Sequence, residues 1–123
     1  MSSVLALTPF RGMIADLNLN PTLGSETGKI RPCVIVTNDV YNQRVPVVQA
    51  VPITEWSEKK SRIITNVELI PDLENGLAKI SLADCLQTRP VDFLSRFVKH
   101  RGQVNPETLT AINTALRIVF DLH

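Results

Sequence analysis

The apolar residues of this chain come in short β-rich runs from Gly12 to Leu82, and after Asn105 they settle into a helical period. That change of period confines the fold to a small sheet or barrel with a terminal helix packed on it. Gly12 to Leu17 reads as the first strand. Residues 18–30, NLNPTLGSETGKI, read as a long loop, and loops of that length inside a compact domain are usually functional or mobile. Cys33 to Val36 is a continuous apolar run suited to a strand buried on both faces, and Asn38-Asp39 supplies a turn. Val45 to Ile53 is β-rich again, with Pro52 predicting an edge or a bulge. The polar stretch TEWSEKKS, residues 54–61, reads as a mobile loop. Strand character resumes from Ile63 to Ile70. Asn75-Gly76 is a turn signal, and Ala78, Ile80 and Leu82 alternate with Lys79 and Ser81 as in a half-buried strand.

The end of the chain is helical. Asn105 is a good N-cap, Pro106 fits the first helical position, and Glu107 favours the positive end of the helix dipole. Leu109, Ile112, Leu116, Val119 and Phe120 form one apolar stripe. Asp92 predicts the cap of a shorter helix over residues 93–98. The sequence thus predicts a single domain over residues 1–123, mainly β with a C-terminal helix packed on the sheet.

Composition narrows the partners. The formal net charge is only +1 among 123 residues, so any nucleic-acid contact must come from a local cluster rather than a general positive coat. The apolar stretch Val4–Leu7 is too short for a signal peptide, and no run of about 18 apolar residues encodes a bilayer span. A soluble cytoplasmic protein is the expectation. Cys33 and Cys85 lie far apart, outside any C-x-x-C pair, and read as buried thiols on strands in a reducing compartment. With His100 and His123 both in the last quarter of the chain, neither a zinc site nor any other metal or cofactor is expected.

Pattern alone offers little catalytic machinery: no Ser-His-Asp arrangement, no P-loop, no G-x-G-x-x-G opening a helix. Two histidines near the helical tail support no acid–base pair. The loop Gly24-Ser25-Glu26-Thr27-Gly28-Lys29, running into Arg31-Pro32, is either a phosphate cradle of backbone amides and cations or an ordinary solvated surface loop.

Four stretches in order resemble the MazF/PemK (Kid) toxins. The first is Arg11-Gly12, then Asn20-Pro21-Thr22, Gly24-Ser25-Glu26, Gly28 and Arg31-Pro32, followed by an apolar strand and Asn38-Asp39. The second is Val51-Pro52-Ile53-Thr54, the third Gln87-Thr88-Arg89-Pro90-Val91-Asp92, and the fourth Gly102 before the last helix. The resemblance implies an SH3-like small β-barrel of the plasmid-maintenance toxin type, working as a homodimer. It also implies a metal-independent endoribonuclease that cuts single-stranded RNA and is checked by a cognate antitoxin with an acidic, disordered segment. DNA binding would belong to the toxin–antitoxin complex.

By motif position the resemblance places the catalytic Arg on Arg31 and the catalytic Thr on Thr54. Glu26 stands as a base or positioning carboxylate. Ser25, Thr27, Gly28, Lys29, Trp56, Lys59, Lys60, Arg62, Gln87 and Arg89 stand as RNA-binding residues. The bland readings remain open beside these: Arg31 as a loop anchor, Thr54 as a strand residue, Glu26 as a turn-stabilising carboxylate, Gln87 and Arg89 as structural, and the lysines as a solvated face. The chain departs from the family's pattern at Met13, where an acidic residue is usual, and at Ala15 and Asp16, where aromatics are common. Trp56 has no clear counterpart. A gyrase poison of the CcdB type and a catalytically dead antitoxin-binding dimer are the alternatives.

Overall fold

A computed structural model describes residues 7–123, so the stretch beginning at Val4 lies outside the described residues apart from Leu7. Seven strands and four helices follow in order: β1 (Met13–Asn18), β2 (Ile30–Ile35), α1 (Asp39–Asn42), β3 (Val47–Glu55), α2 (Glu58–Ser61), β4 (Asn66–Leu69), β5 (Ser81–Asp84), β6 (Arg89–Asp92), α3 (Phe93–Arg96), β7 (Phe97–Gln103) and α4 (Pro106–Phe120). Every pairing is antiparallel. The main path runs β4-β5-β3-β2-β1-β7, and β6 pairs separately with β3.

The nine-residue β3 is the pivot. On one edge it pairs with β2; on the other it pairs with β6 through Ala50 and with β5 from Ile53 onward. Pro52 falls in the gap between those two partners, so its missing amide sacrifices no ladder bond on that edge. The expected local edge is therefore real, although Pro52 itself is fully buried.

Strands alternate side chains between faces, and the sheet accordingly carries two cores. Ile14, Val34, Val51 and Ile53 point to one, which α4 covers with Ile112 and Ala115, flanked by Leu109, Leu116 and Val119. Fully burying Ile112 stabilises the fold by about 1.5–3 kcal/mol. Met13, Ala15, Leu17, Cys33, Ile35, Val48 and Ala50 point to the other, closed by Val91, Phe93 and Phe97. The strands β6-β3-β2-β1-β7 surround this second core, with α3 joining the two ends: a small five-stranded barrel. Helix α4 starts as its sequence predicts, with Asn105 Oδ1 accepting the Thr108 amide at 2.7 Å. Phe120 leaves the expected stripe and is exposed.

The Arg11-Gly12 pair is a structural clamp. The Arg11 amide donates to Asp39 Oδ1 at 2.7 Å, its Nε donates to the Val36 carbonyl at 3.0 Å, and its guanidinium also reaches Asn113 Oδ1. At the departure position, Asp16 is buried on β1 and paired with Arg101 on β7 at 2.6 Å. No described helix is long and apolar enough to cross a membrane.

Several sequence expectations need correction. Residues 54–61 are not one loop, because Thr54 and Glu55 complete β3 and Ser57 caps the single turn α2 through the Lys60 amide. Only 66–69 of the expected 63–70 strand is extended; Ile63 and Ile64 lie exposed in the turn before it. The strand expected over 78–82 is instead Ser81–Asp84. Asn75-Gly76 does turn the chain, but as part of a long excursion over residues 70–80 that docks on β7. There the Gln103 amide donates to the Glu74 carbonyl at 3.0 Å and Arg101 to the Gly76 carbonyl at 3.0 Å. Gly76 has φ +67°, and a Cβ there would strike the Arg101 carbonyl.

The short helix stops at Arg96 rather than 98, and β6 and β7 were not foreseen. Pro90 argues against a strand at β6 because it lacks a backbone donor, and β7 reads as polar because it is an edge strand with mostly exposed side chains. Cys33 lies on β2 as expected, whereas Cys85 sits in a 3-10 turn, Cys85–Gln87. The apolar first strand needs no partner subunit to cover it, since β1 lies between β2 and β7 within the chain.

Candidate functional site

Residues 19–29 fold into an arch whose base is closed by the barrel. The Leu19 amide donates to the Lys29 carbonyl, and the Lys29 amide donates to Asn20 Oδ1, both at 2.9 Å. Arg89 donates to the Leu19 carbonyl at 3.0 Å, and Arg96 donates to the carbonyls of Asn18 and Asn20 at 2.8 and 2.7 Å. Gln87 clips the far side, its Oε1 accepting the Thr27 amide and its Nε2 donating to the Ser25 carbonyl. Inside the arch the chain passes so close at Gly28 that a Cβ would lie 2.6 Å from Thr22 Oγ1 and 2.7 Å from Asn20 Oδ1. Glu26 folds back on its own turn, accepting the Leu23 amide at 2.8 Å.

Where this arch meets β3 the surface opens into a cleft of about 560 Å³, lined by Thr27, Lys29, Ile30, Arg31, Thr54, Glu55, Lys60, Ile63, Asn66 and Asp84. Arg31, half-buried at the start of β2, donates its Nε to the Gly28 carbonyl at 2.9 Å. That bond fixes the plane of the guanidinium, and among the described residues nothing else takes its terminal nitrogens. Lys29 stands just before it in the left-handed region, φ +68°, a conformation that a non-glycine residue adopts at some expense. The cleft therefore gathers three cations, two carboxyls and a strand hydroxyl. Such a wall can hold a phosphate and stabilise charge developing on it.

The two carboxyls differ. Lys79 bonds Glu55 at 2.6 Å and holds its carboxyl below the ordinary value, with Lys60 and Arg31 adding to the effect. Burial pushes the Asp84 carboxyl up, against the pull of the Gln87 and Leu86 amides and of Lys60. Among the described residues, no three of His, Cys, Asp and Glu gather as a metal site would require.

A family model described as PemK-like, MazF-like toxin of type II toxin–antitoxin system matches residues 10–120. The chain belongs to that family. It is 34% identical over 113 residues to the Endoribonuclease MazF of Staphylococcus saprophyticus, covering 92% of each chain. It is 29% identical over 108 residues to the Endoribonuclease EndoA of Bacillus subtilis, covering 88% of this chain and 90% of that one. Among solved structures, MazF from Deinococcus radiodurans superposes with a TM-score of 0.79 at 23% identity, over 94% of this chain and 98% of that one. A mycobacterial endoribonuclease in complex with its cognate antitoxin superposes at 0.74 with 24% identity, over 94% and 97%. These likenesses bear out the mainly antiparallel β fold with a C-terminal helix.

The MazF/PemK-type motifs converge only in part. Arg31, Thr54, Thr27, Lys29 and Lys60 share the cleft. Ser25, Gly28, Gln87 and Arg89 build the arch behind it, and Glu26 is committed to that arch. Trp56 donates to Glu68 Oε2 at 2.9 Å, and Arg62 pairs with Glu58 at 2.8 Å, both away from the cleft lining. Lys59 is exposed beside them. Sequence reasoning passed over Asp84, Glu55, Asn66, Ile30 and Ile63. Asp84 carried a readable signal: it is an acidic residue closing a strand whose other members are all buried.

Proposed function

We propose that this MazF/PemK-family chain is an endoribonuclease toxin whose cleft grips one phosphodiester of single-stranded RNA and cuts it without a metal ion. The observation that carries this reading is the meeting of Arg31 and Thr54. They are 23 residues apart in sequence on neighbouring strands, and they share one cationic cleft. The names of the similar proteins from Staphylococcus saprophyticus and Bacillus subtilis support the same activity.

In the mechanism the ribose 2′-hydroxyl attacks the adjacent phosphorus and the 5′-oxygen leaves. Arg31 stabilises the crowded phosphorane, because its planar donors match phosphate oxygens in pairs. Arginine stays charged in proteins and is a poor proton donor, so its role is electrostatic. Thr54 positions the phosphate or the 2′-hydroxyl through its own hydroxyl. Single-stranded RNA fits because its backbone can rotate the 2′-oxygen into line with the leaving group and its bases can splay into the open cleft. A homodimer accompanies this reading, since the part of the β7 edge not covered by residues 74–76 invites pairing. So does a cognate antitoxin whose acidic, disordered segment occupies the cationic cleft and folds on binding.

The test is incubation of purified protein with a long RNA in excess EDTA. The expected products carry a 2′,3′-cyclic phosphate (or the 3′-phosphate from its hydrolysis) and a 5′-hydroxyl, and a 2′-deoxy nucleotide on the 5′ side of the cut blocks the reaction. Thr54→Ala should slow cleavage clearly and Thr54→Ser much less. A magnesium requirement or a 5′-phosphate product would refute the mechanism. Growth arrest by an Arg31→Ala protein that cuts no RNA would point to a protein target instead.

A further inference from the structure

The cleft holds Arg31 and Thr54 but has no histidine, and the loop carboxylate Glu26 is turned onto the Leu23 amide. A proton acceptor must come from its remaining walls. Four charged groups line the cleft with Asp84: Lys29 and Arg31 from the arch and β2, Glu55 from β3, and Lys60 from α2. Glu55 is exposed and bonded to Lys79, an arrangement that keeps it ionised and makes it a weak base. Asp84 differs on each count. It is half-buried at the end of β5, directly before the 3-10 turn, and has no ion-pair partner among the described residues. Its cross-strand neighbour on β4, Asn66, turns its amide nitrogen to the Lys60 carbonyl at 3.0 Å. The Asn66 Oδ1 is buried without a donor, and Asp84 takes its hydrogen bonds from the Gln87 and Leu86 amides instead. Burial raises the Asp84 carboxyl above the ordinary aspartate value, which strengthens it as a base.

We propose that Asp84 is the general base of the cleft, an assignment that rests on the ribonuclease reading above. The Asp84 carboxylate takes the proton of the 2′-hydroxyl as the O–H bond breaks. The freed electron pair forms the 2′-oxygen–phosphorus bond, and the phosphorus–5′-oxygen bond breaks toward oxygen. The leaving 5′-oxygen takes a proton from water, and the protonated Asp84 returns its proton to solvent. Arg31 lies across the same cleft and neutralises the phosphorane while this happens. Because Asp84 is on β5 and Thr54 pairs with Leu82 of the same strand, base and hydroxyl are held by one ladder.

The experiment is single-turnover cleavage of RNA as a function of pH, for the wild type, Asp84→Asn and Asp84→Glu. Binding is read in parallel with a 2′-deoxy oligonucleotide that cannot be cut. The wild-type rate should fall on the acid side with a midpoint above the ordinary aspartate value. Asp84→Asn should lose roughly 10²–10⁴ in rate, abolish that acid limb, and bind the oligonucleotide within a few-fold of wild type. Asp84→Glu should keep the limb and part of the rate. A substrate with sulfur in place of the 5′-bridging oxygen needs no proton on its leaving group. The Asp84→Asn defect should persist on it, and recovery there would make Asp84 an acid and overturn the proposal. If Asp84→Asn does not fold by circular dichroism, the wild-type and Asp84→Glu profiles decide, and a wild type with no acid limb overturns the assignment. Wild type that cuts while Asp84→Asn cuts equally well overturns the base alone; wild type that cuts no RNA overturns the ribonuclease reading with it.

Discussion

Residues 19–29, on one wall of the cleft, are tied to the rest of the barrel through Gln87, Arg89 and Arg96, which stand some 60–80 positions later in the chain. Residues 56–65, on the other wall, are held mostly by their own neighbours. Ser57 caps the Lys60 amide, Ser61 bonds the Glu58 carbonyl, and Arg62 pairs with Glu58 four residues back, with side chains 75% and 72% exposed. An exposed pair of that kind adds little to stability. The comparison teaches that Arg31 is placed by the whole fold, whereas the opposite wall is shaped by local sequence. On the proposed function, the first wall would hold the chemistry and the second would be free to vary the fit of the RNA.

Arg31 gives the largest expected effect. Arg31→Ala should slow cleavage roughly 10²–10³-fold, by analogy with removing a preorganised donor from an oxyanion site. Its melting temperature should barely move, because the side chain makes one hydrogen bond, from β2 to the Gly28 carbonyl of the arch. Arg31→Lys should restore part of the rate only, since a point charge lacks the planar fork. Full activity in Arg31→Ala would break the idea that the rigid wall carries the chemistry.

Freeing that wall is the next test. Arg89→Ala combined with Arg96→Ala removes three bonds to the carbonyls of Asn18, Leu19 and Asn20. Cleavage should fall about tenfold to a hundredfold through misplacement of Arg31, and the melting temperature should drop as well. A lower melting temperature with an unchanged single-turnover rate would show that the arch need not be held.

The smallest effect separates the two lysines of the loose wall. Lys60 lines the cleft and Lys59 does not. Lys60→Ala should therefore reduce the slope of log affinity against log salt by about 0.7 on a single-stranded oligonucleotide, and Lys59→Ala by clearly less. Equal slopes for the two variants would spread the RNA contact over the whole face of α2.

The sequence legible to pattern reasoning was the part with strong local signals. The caps at Asn105 and Asp92, the buried run after Arg31-Pro32 and the helical stripe all appear where local chemistry demands them. What escaped was set by distant partners. Strand β7, with Lys99, His100 and Arg101 exposed or half-buried, looks polar because it is an edge, and only its pairing with β1 makes it a strand. Residues 78–80 alternate correctly yet stay irregular, because Gly76 and Glu74 are docked on β7. At the cleft, motif order brought Arg31 and Thr54 forward together with Thr27, Lys29 and Lys60, while the other expected RNA-binding residues lie outside its lining. Gln87 and Arg89 face the arch from behind, a placement that only the fold decides.

The two cysteines have a practical consequence. Cys33 and Cys85 are buried and unpaired, and burial pushes both thiols up to about 12, helped by the charges of Asp16 and Asp84 respectively. At neutral pH both therefore stay protonated, away from the thiolate form that reacts with alkylating reagents. The native chain is thus a silent background for site-directed labelling. A single cysteine introduced at exposed Lys59 should take a maleimide dye quantitatively, giving a fluorescent reporter on the cleft's variable wall without first removing either native thiol.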